Sequence, residues 1–285
     1  MVIAKHAAVT LREMRATDIP AARELSRDQQ WPHRTSDWTF MFQQGSGVVA
    51  EQDGRVVGTT MSWLYGTDAA TVGLVIVDPA CQGQGIGRKL MEAILEPLAD
   101  RAVMLNATDV GAPLYRKLGF EPTGTIFQHQ GVLTSVPPAE HRANERVRPM
   151  GVRDPAAIEA LDRTATGLDR RKLLAAVLES ARGVMLDRDN EAVGFSLLRR
   201  FGRGFAIGPT VAPDAAGAKL LISHWLGVKA GSFCRLDVSS DARLSSWLEE
   251  LGLPCVGRVK TMVRGTLPPC GAGVRTFSLI TQALG

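Results

Sequence analysis

The residues best suited to chemistry lie between Val75 and Leu90, which read Val-Ile-Val-Asp-Pro-Ala-Cys-Gln-Gly-Gln-Gly-Ile-Gly-Arg-Lys-Leu. Gly83, Gly85 and Gly87 alternate after a β-branched apolar run and before an amphipathic stretch. Glycine lets a backbone take positive φ and come close to a ligand. The first amides of a helix have no internal acceptor and carry the positive end of the helix dipole. A strand, a glycine loop and a helix start in that order therefore make an anion site suited to a pyrophosphate. Arg88 and Lys89 add positive charge at its edge. Two other phosphate loops are excluded by their spacing. A nucleotide P-loop ends in Gly-Lys-Ser/Thr, whereas Gly87 is followed by Arg88 and Lys89. The dinucleotide fingerprint G-x-G-x-x-G needs glycine where Arg88 or Leu90 stands.

The elements that must position this loop follow from pattern. Val9–Arg15 reads as a strand, and Thr17 or Asp18 is placed to cap the helix that follows. Asp53-Gly54 marks a hairpin turn, because both residue types tolerate positive φ. Thr71–Val77 is a nearly continuous apolar run, predicting a buried central strand. A helix is predicted from about Gly85 to Leu98, a strand over Ala102–Ala107, a short helix over Pro113–Leu118 and a last strand over Thr123–Val132. Together these make an α/β (α+β) domain on a mixed sheet.

The chain also repeats itself. Residues 47–58 and 183–194 share five of twelve positions at an offset of 136, and Met14–Asp18 aligns with Met150–Asp154 at that same offset. Two separated matches at one offset indicate two copies of one fold, joined near residues 136–145, where Pro137 and Pro138 stand in a polar stretch.

The pattern Gln82-x-x-Gly85-x-Gly87, with Val77-x-Pro79 ahead of it, resembles the coenzyme A loop of the GNAT acetyltransferase superfamily. Leu114-Tyr115-Arg116-Lys117-Leu118-Gly119-Phe120 resembles that family's second hallmark, and the resemblance covers roughly residues 9–132. It implies a tandem GNAT protein, each domain a mixed, mostly antiparallel sheet flanked by helices. By resemblance, Val75, Ile76 and Val77 bind the acyl and pantetheine end through their backbone. The amides of Gly83, Gln84, Gly85, Ile86, Gly87 and Arg88 hold the pyrophosphate, with Gln82 at the loop's start. Thr108 occupies a position usually held by asparagine, which alters that contact to the cofactor. Tyr115 matches the tyrosine that many members use as general acid, protonating the departing thiolate. Asn106-Ala107-Thr108 before Gly111-Ala112-Pro113-Leu114-Tyr115 resembles a bacterial tandem subgroup.

The acceptor side is less legible. Asp28, His33, Asp37 and Asp109 are the candidates for a general base, and Trp31, His33 and Trp38 lie in the segment that shapes the acceptor site in this family. Residues 1–135 are read as the catalytic domain and 146–285 as a degenerate domain with a C-terminal tail. In that second copy Pro213 to Lys219 takes 6 steps where Pro79 to Lys89 takes 10, so the phosphate loop is shortened. Asp214 puts a carboxylate where an anion would bind, and Leu248 aligns with Tyr115. The tail, apolar over Phe277–Leu284, is expected to dock as a short helix.

Composition narrows the class. Of 285 residues, 45% are hydrophobic and 22% charged, as in an ordinary globular protein. The net charge of +4 is scattered without a basic cluster, which argues against nucleic acid as a partner. Cys81, Cys234, Cys255 and Cys270 show neither zinc spacing nor a disulfide framework, so no metal is expected. Cys81 as a nucleophile is discounted, since it stands at the phosphate loop rather than the thioester end. Neither a signal peptide nor a membrane span is evident, which places the protein in the cytoplasm. The expected activity is N-acetyl transfer from acetyl-coenzyme A to a primary amine of a small molecule or peptide. The alternatives are a non-catalytic acyl-coenzyme A sensor and an enzyme using a longer acyl chain. The sequence leaves the oligomeric state open.

Overall fold

The computed structural model describes residues 8–137 and 139–285; Pro138, one of the two linker prolines, lies outside the described residues. The first copy runs β1 (Thr10–Glu13), α1 (Ile19–Asp28), α2 (Thr35–Gln44), β2 (Ser46–Gln52), β3 (Arg55–Tyr65), β4 (Ala69–Val77), α3 (Ile86–Leu95), β5 (Ala102–Ala107), α4 (Ala112–Lys117) and β6 (Glu121–Val132). The second repeats the series as β7 (Glu145–Pro149), α5 (Pro155–Thr166), α6 (Arg171–Ser180), β8 (Arg182–Arg188), β9 (Glu191–Phe201), β10 (Gly204–Ala212), α7 (Ala215–Val228), β11 (Phe233–Ser239), α8 (Ser245–Glu250) and β12 (Cys255–Arg264). One more strand, β13 (Arg275–Ser278), follows.

The repeat extends to side chains. Arg12 forks onto Asp18 and reaches Glu51 through Nε, while the Arg15 amide donates to Asp18. At the same offset Arg148 forks onto Asp154 and reaches Asp187, while the Gly151 amide donates to Asp154. Asp18 thus serves the arginine and the turn before the helix, and no side-chain cap bond forms at the start of α1. The turn at Asp53-Gly54 has φ of 52° and 72°, as that dipeptide predicts.

All strands join one 13-stranded sheet in the order β1-β2-β3-β4-β5-β12-β6-β11-β13-β10-β9-β8-β7. The copies exchange their last strands. β12, from the second copy, pairs antiparallel with β5 of the first, while β6 pairs with β11 of the second, and β6 and β12 pair with each other at the centre. The division at residues 135–146 therefore separates the repeats in the chain but not in space. One apolar core runs beneath both: Trp38, Met41 and Tyr65 belong to the same buried cluster as Ile158, Val177 and Phe195.

The tail departs from expectation. It is not a short helix: Arg275–Ser278 is a strand wedged between β10 and β11, and residues 281–284 form a turn. The alternative of leaving the edges of β10 and β11 unpaired where they part explains why an extended segment wins there over helix. No described helix is long and apolar enough to cross a membrane.

Candidate active site

The parallel pair β4 and β5 is bonded only over Ala69↔Ala102, Ala70↔Val103 and Thr71↔Met104. Beyond Thr71 the strands part, and a bulge in β4 sharpens the divergence: Met61 faces Gly73, but Thr59 faces Ile76. Leu74, at the bulge, has φ of 53°, costly for a side chain of its size, and its carbonyl is held by the Thr59 hydroxyl at 2.8 Å. The opening is a cleft of about 620 Å³. Val75, Ile76, Val77, Gln82, Gly83, Gly85, Ile86, Gly87, Arg88, Thr108 and Tyr115 all line it.

At the cleft's mouth α3 begins on Gly85, in the left-handed region at φ 75°, with no side-chain cap. Lys89 N donates to Gly85 O, so the amides of Ile86, Gly87 and Arg88 precede the first intrahelical donor and have no acceptor within the helix. Gly83 has φ of 78°, and a Cβ at either glycine would meet nothing within 4 Å; dihedral freedom, not crowding, selects glycine there. These open amides and the adjoining cleft fit a pyrophosphate with an extended arm.

Tyr115 is buried on α4 against Phe120 and fixed by its neighbour Gly111, where a Cβ would come 2.9 Å from the ring. Burial pushes its phenol up to about 12. Its hydroxyl makes no hydrogen bond among the described residues, leaving it free for a guest in the cleft. Thr108 accepts from the Gly111 amide at 3.2 Å, which ties the end of β5 to α4.

A second cavity, of about 140 Å³, continues from the cleft and shares Trp31, Val72, Gly73, Leu74, Asn106 and Thr108 with it. His33 lines this cavity with Trp31. The other proposed acceptor residues do not. Trp38 is fully buried in the core, its indole donating to Ser26, because its position on α2 faces inward. Asp28 is exposed and pairs with Arg27; Asp109 is 84% exposed and pairs with Lys260. Asp37 is buried but committed to Arg34 and to the Gly202 amide. Gln84 is exposed and its side chain does not line the cleft. Cys81 lines the cleft beside the glycine loop, and its thiol donates to Gln52 at 3.5 Å.

Sequence reasoning missed the residues that the strand exchange and the tail bring in. Gln128, Phe201, Arg235, Val259, Thr281 and Gln282 all face the second cavity, from segments remote in sequence. Asn106 is clamped between the two newcomers, accepting from Thr261 of β12 and donating to the Gln282 carbonyl.

The corresponding cleft of the second copy is closed. β10 and β11 also pair in parallel only briefly, at Phe205↔Cys234 and Ala206↔Arg235, and then part. β13 fills that gap, bonding to both. Asp214 caps α7 through the Gly217 amide at 2.8 Å and is held by Arg142 and Arg188. The copy's own carboxylate thus occupies the anion position.

Comparison with known proteins gives a matching picture. A family model described as an acetyltransferase (GNAT) domain matches residues 43–122, and a second with the same description matches residues 158–272. The uncharacterised N-acetyltransferase YitH of Bacillus subtilis is 27% identical across 90% of this chain and 91% of its own. The ribosomal protein bS18-alanine N-acetyltransferase of Escherichia coli is 31% identical across 39% of this chain and 80% of its own. A solved tandem GNAT protein from the clavulanic acid biosynthesis pathway superposes with a TM-score of 0.64, at 14% identity, over 90% of this chain and 98% of that one.

Proposed function

The chain belongs to the GNAT acetyltransferase family, and from that premise we propose that it transfers an acetyl group from acetyl-coenzyme A to a primary amine at one site, in the first copy. The observation that carries this reading is the contrast between two versions of one cleft. The first is open, with free amides at its mouth; the second is filled by β13 and capped by Asp214.

In this reading the amides from Gly83 to Arg88, with Gln82 at the loop's start, take the pyrophosphate. The exposed backbone of Val75, Ile76 and Val77, left unpaired by the splay from β5, takes the pantetheine arm as a strand edge would. The thioester then lies near the bulge at Leu74. An amide of the bulged strand, turned out of the ladder, polarises the thioester carbonyl and stabilises the oxyanion. The amine nitrogen attacks the carbonyl carbon, and a C–N bond forms. As the tetrahedral intermediate collapses, the C–S bond breaks and its electron pair goes to sulfur. Tyr115 donates its proton to the leaving sulfur, and the proton lost by the amine passes to water. A phenol raised to about 12 is fully protonated at neutral pH, as an acid must be. The amine enters through the smaller cavity beside Trp31 and His33. The reading predicts a soluble cytoplasmic enzyme that needs no metal.

The test is calorimetric titration of the full chain with acetyl-coenzyme A. One site per chain is expected, and Gly85→Asp abolishes it by placing a carboxylate at the phosphate position. Two sites would mean that the second copy binds despite β13. No binding would overturn the reading.

A further inference from the structure

The smaller cavity carries an electrostatic imbalance. Arg199 of β9 and Arg235 of β11 flank Ala206 on one face of the sheet, opposite each other across β10, and the small alanine leaves room between them. Arg235 lines the cavity. It forks onto Asp237 through Nε and Nη2, both at 3.0 Å, and its Nη1 donates to no described residue. Arg199 is 7% exposed and forms no ion pair among the described residues. Its Nη2 donates to the Ile280 carbonyl at 3.0 Å, and its Nε is buried without a partner. Both guanidiniums pack on Phe201, Arg199 at 4.7 Å and Arg235 at 5.6 Å from the ring centroid.

The carboxylates nearby do not balance these cations. Asp237 also accepts from Gln282 at 2.8 Å, and Asp37 is engaged by Arg34 and the Gly202 amide. Three cations, Arg34, the buried Arg199 and the part-buried Arg235, thus share two carboxylates, Asp37 and Asp237. A buried cation without a counter-ion is costly, and cation–π contact recovers only part of that cost. Burial pushes Arg199 down to about 10, against the opposing pull of Asp37. His33, whose Nδ1 is buried without a partner on the same cavity, adds none: burial and then Arg235 hold it down to about 4, so it is neutral.

From this geometry we infer that the acceptor is a small amine that also bears a carboxylate, whose acid group is received at Arg235, with Arg199 behind it, while its amine points to the bulge at Leu74. The inference rests on the acetyl-transfer reading above. The cavity's lining fits it: Gly73 and Leu74 of the β4 bulge and Arg235 of β11 all line this one cavity. A volume of about 140 Å³ is close to that of a cavity that admits benzene, so the guest is of amino-acid size rather than a protein surface. The carboxylate would supply the missing negative charge, and Nη1 of Arg235 and the His33 ring edge are the groups left to recognise it.

The test follows acceptor-dependent release of coenzyme A by the full chain. Small amino acids are each compared with the corresponding amide and the decarboxylated amine. The acids are expected to exceed both partners in kcat/KM by about 100-fold or more. In Arg235→Gln that preference collapses to about tenfold or less, mainly through KM, while titration with acetyl-coenzyme A reports that the variant is folded. Arg199→Met removes the rear charge, together with its bond to the Ile280 carbonyl, and also weakens the preference. If Arg199 only pins the tail, that variant changes thermal stability and keeps the preference. Equal rates for acids and amides overturn the inference. So does turnover confined to uncharged amines or peptide amino termini, or no turnover with any acid while acetyl-coenzyme A still binds; the donor reading then stands alone. Failure to bind acetyl-coenzyme A takes down both.

Discussion

At the scale of single residues, the proposed mechanism divides the labour between Tyr115, for the proton, and Leu74, for the geometry. Tyr115→Phe is expected to lower kcat by about 100-fold or more with the acetyl-coenzyme A affinity unchanged, since only the proton-donating hydroxyl is removed. The pH profile carries a second check. Raising an acid's pKa extends the range in which it holds its proton, so a phenol at about 12 imposes no alkaline fall in kcat between pH 8 and about 11; a decline there would assign the acid to another group. Leu74 sits at φ 53° for the sake of the bulge. Leu74→Gly accepts that dihedral freely, yet a more mobile loop loses the fixed amide. Leu74 is also buried in the core, and the lost packing outweighs the relieved strain, so the expected signature is a lowered melting temperature with reduced kcat. Of the residues read from sequence, those of the glycine loop apart from Gln84 line one cleft with Tyr115; the alternating glycines made the loop legible, and Tyr115 was reached through the family resemblance. Trp38 was not legible: whether an aromatic on a helix faces core or cleft depends on the helix's rotation, which residues 31–38 do not encode by themselves.

At the scale of elements, the ion clusters of β1 and β7 and the insertion of β13 matter most. Asp18 and Asp154 are both held below the usual carboxylate range, chiefly by the hydrogen-bonded arginine beside each. A carboxylate depressed in the folded state contributes stability above its unfolded value near 3.9, and that contribution is lost as pH falls through the folded value. Asp154→Asn is therefore expected to reduce stability in urea by roughly 1–3 kcal/mol at pH 7 and by little at pH 2. Removing residues 275–285 strips β10 and β11 of a partner and the Tyr65 hydroxyl of the Leu284 carbonyl it donates to at 2.7 Å. The truncated chain should melt at lower temperature and show faster amide exchange in β10 and β11 than in β2 and β3. The shortened loop and Asp214 were visible as a loss in the second copy. The element that fills the vacated cleft was not, because four strand residues after a Pro- and Gly-rich stretch carry no periodicity that tells strand from turn or helix.

At the scale of the whole molecule, the exchanged strands make the halves interdependent. Residues 1–144 alone would present β6 with neither of its neighbours, and residues 145–285 would present β12 likewise. Each half is expected to be insoluble or to self-associate when made separately. Both together should recover one acetyl-coenzyme A site per pair; a soluble, monomeric first half with full affinity would contradict the exchange. The repeat itself was plain in the sequence. The exchange was not, because an offset in the alignment records that two strands correspond and is silent on which neighbour each takes.

The order of the sheet reads alike from either edge once each strand is named by its place in its own copy, with β13 as the single exception. That is the pattern of a two-fold pair of identical subunits that trade their final strands, written into one polypeptide. In a true pair, one gene sets both subunits, and a change that disables one cleft disables the other. Fusion removes that bond between them. One copy is then free to keep its glycine loop, while its twin is free to become a wall of its sibling's pocket, to which it contributes Phe201 and Arg235 here.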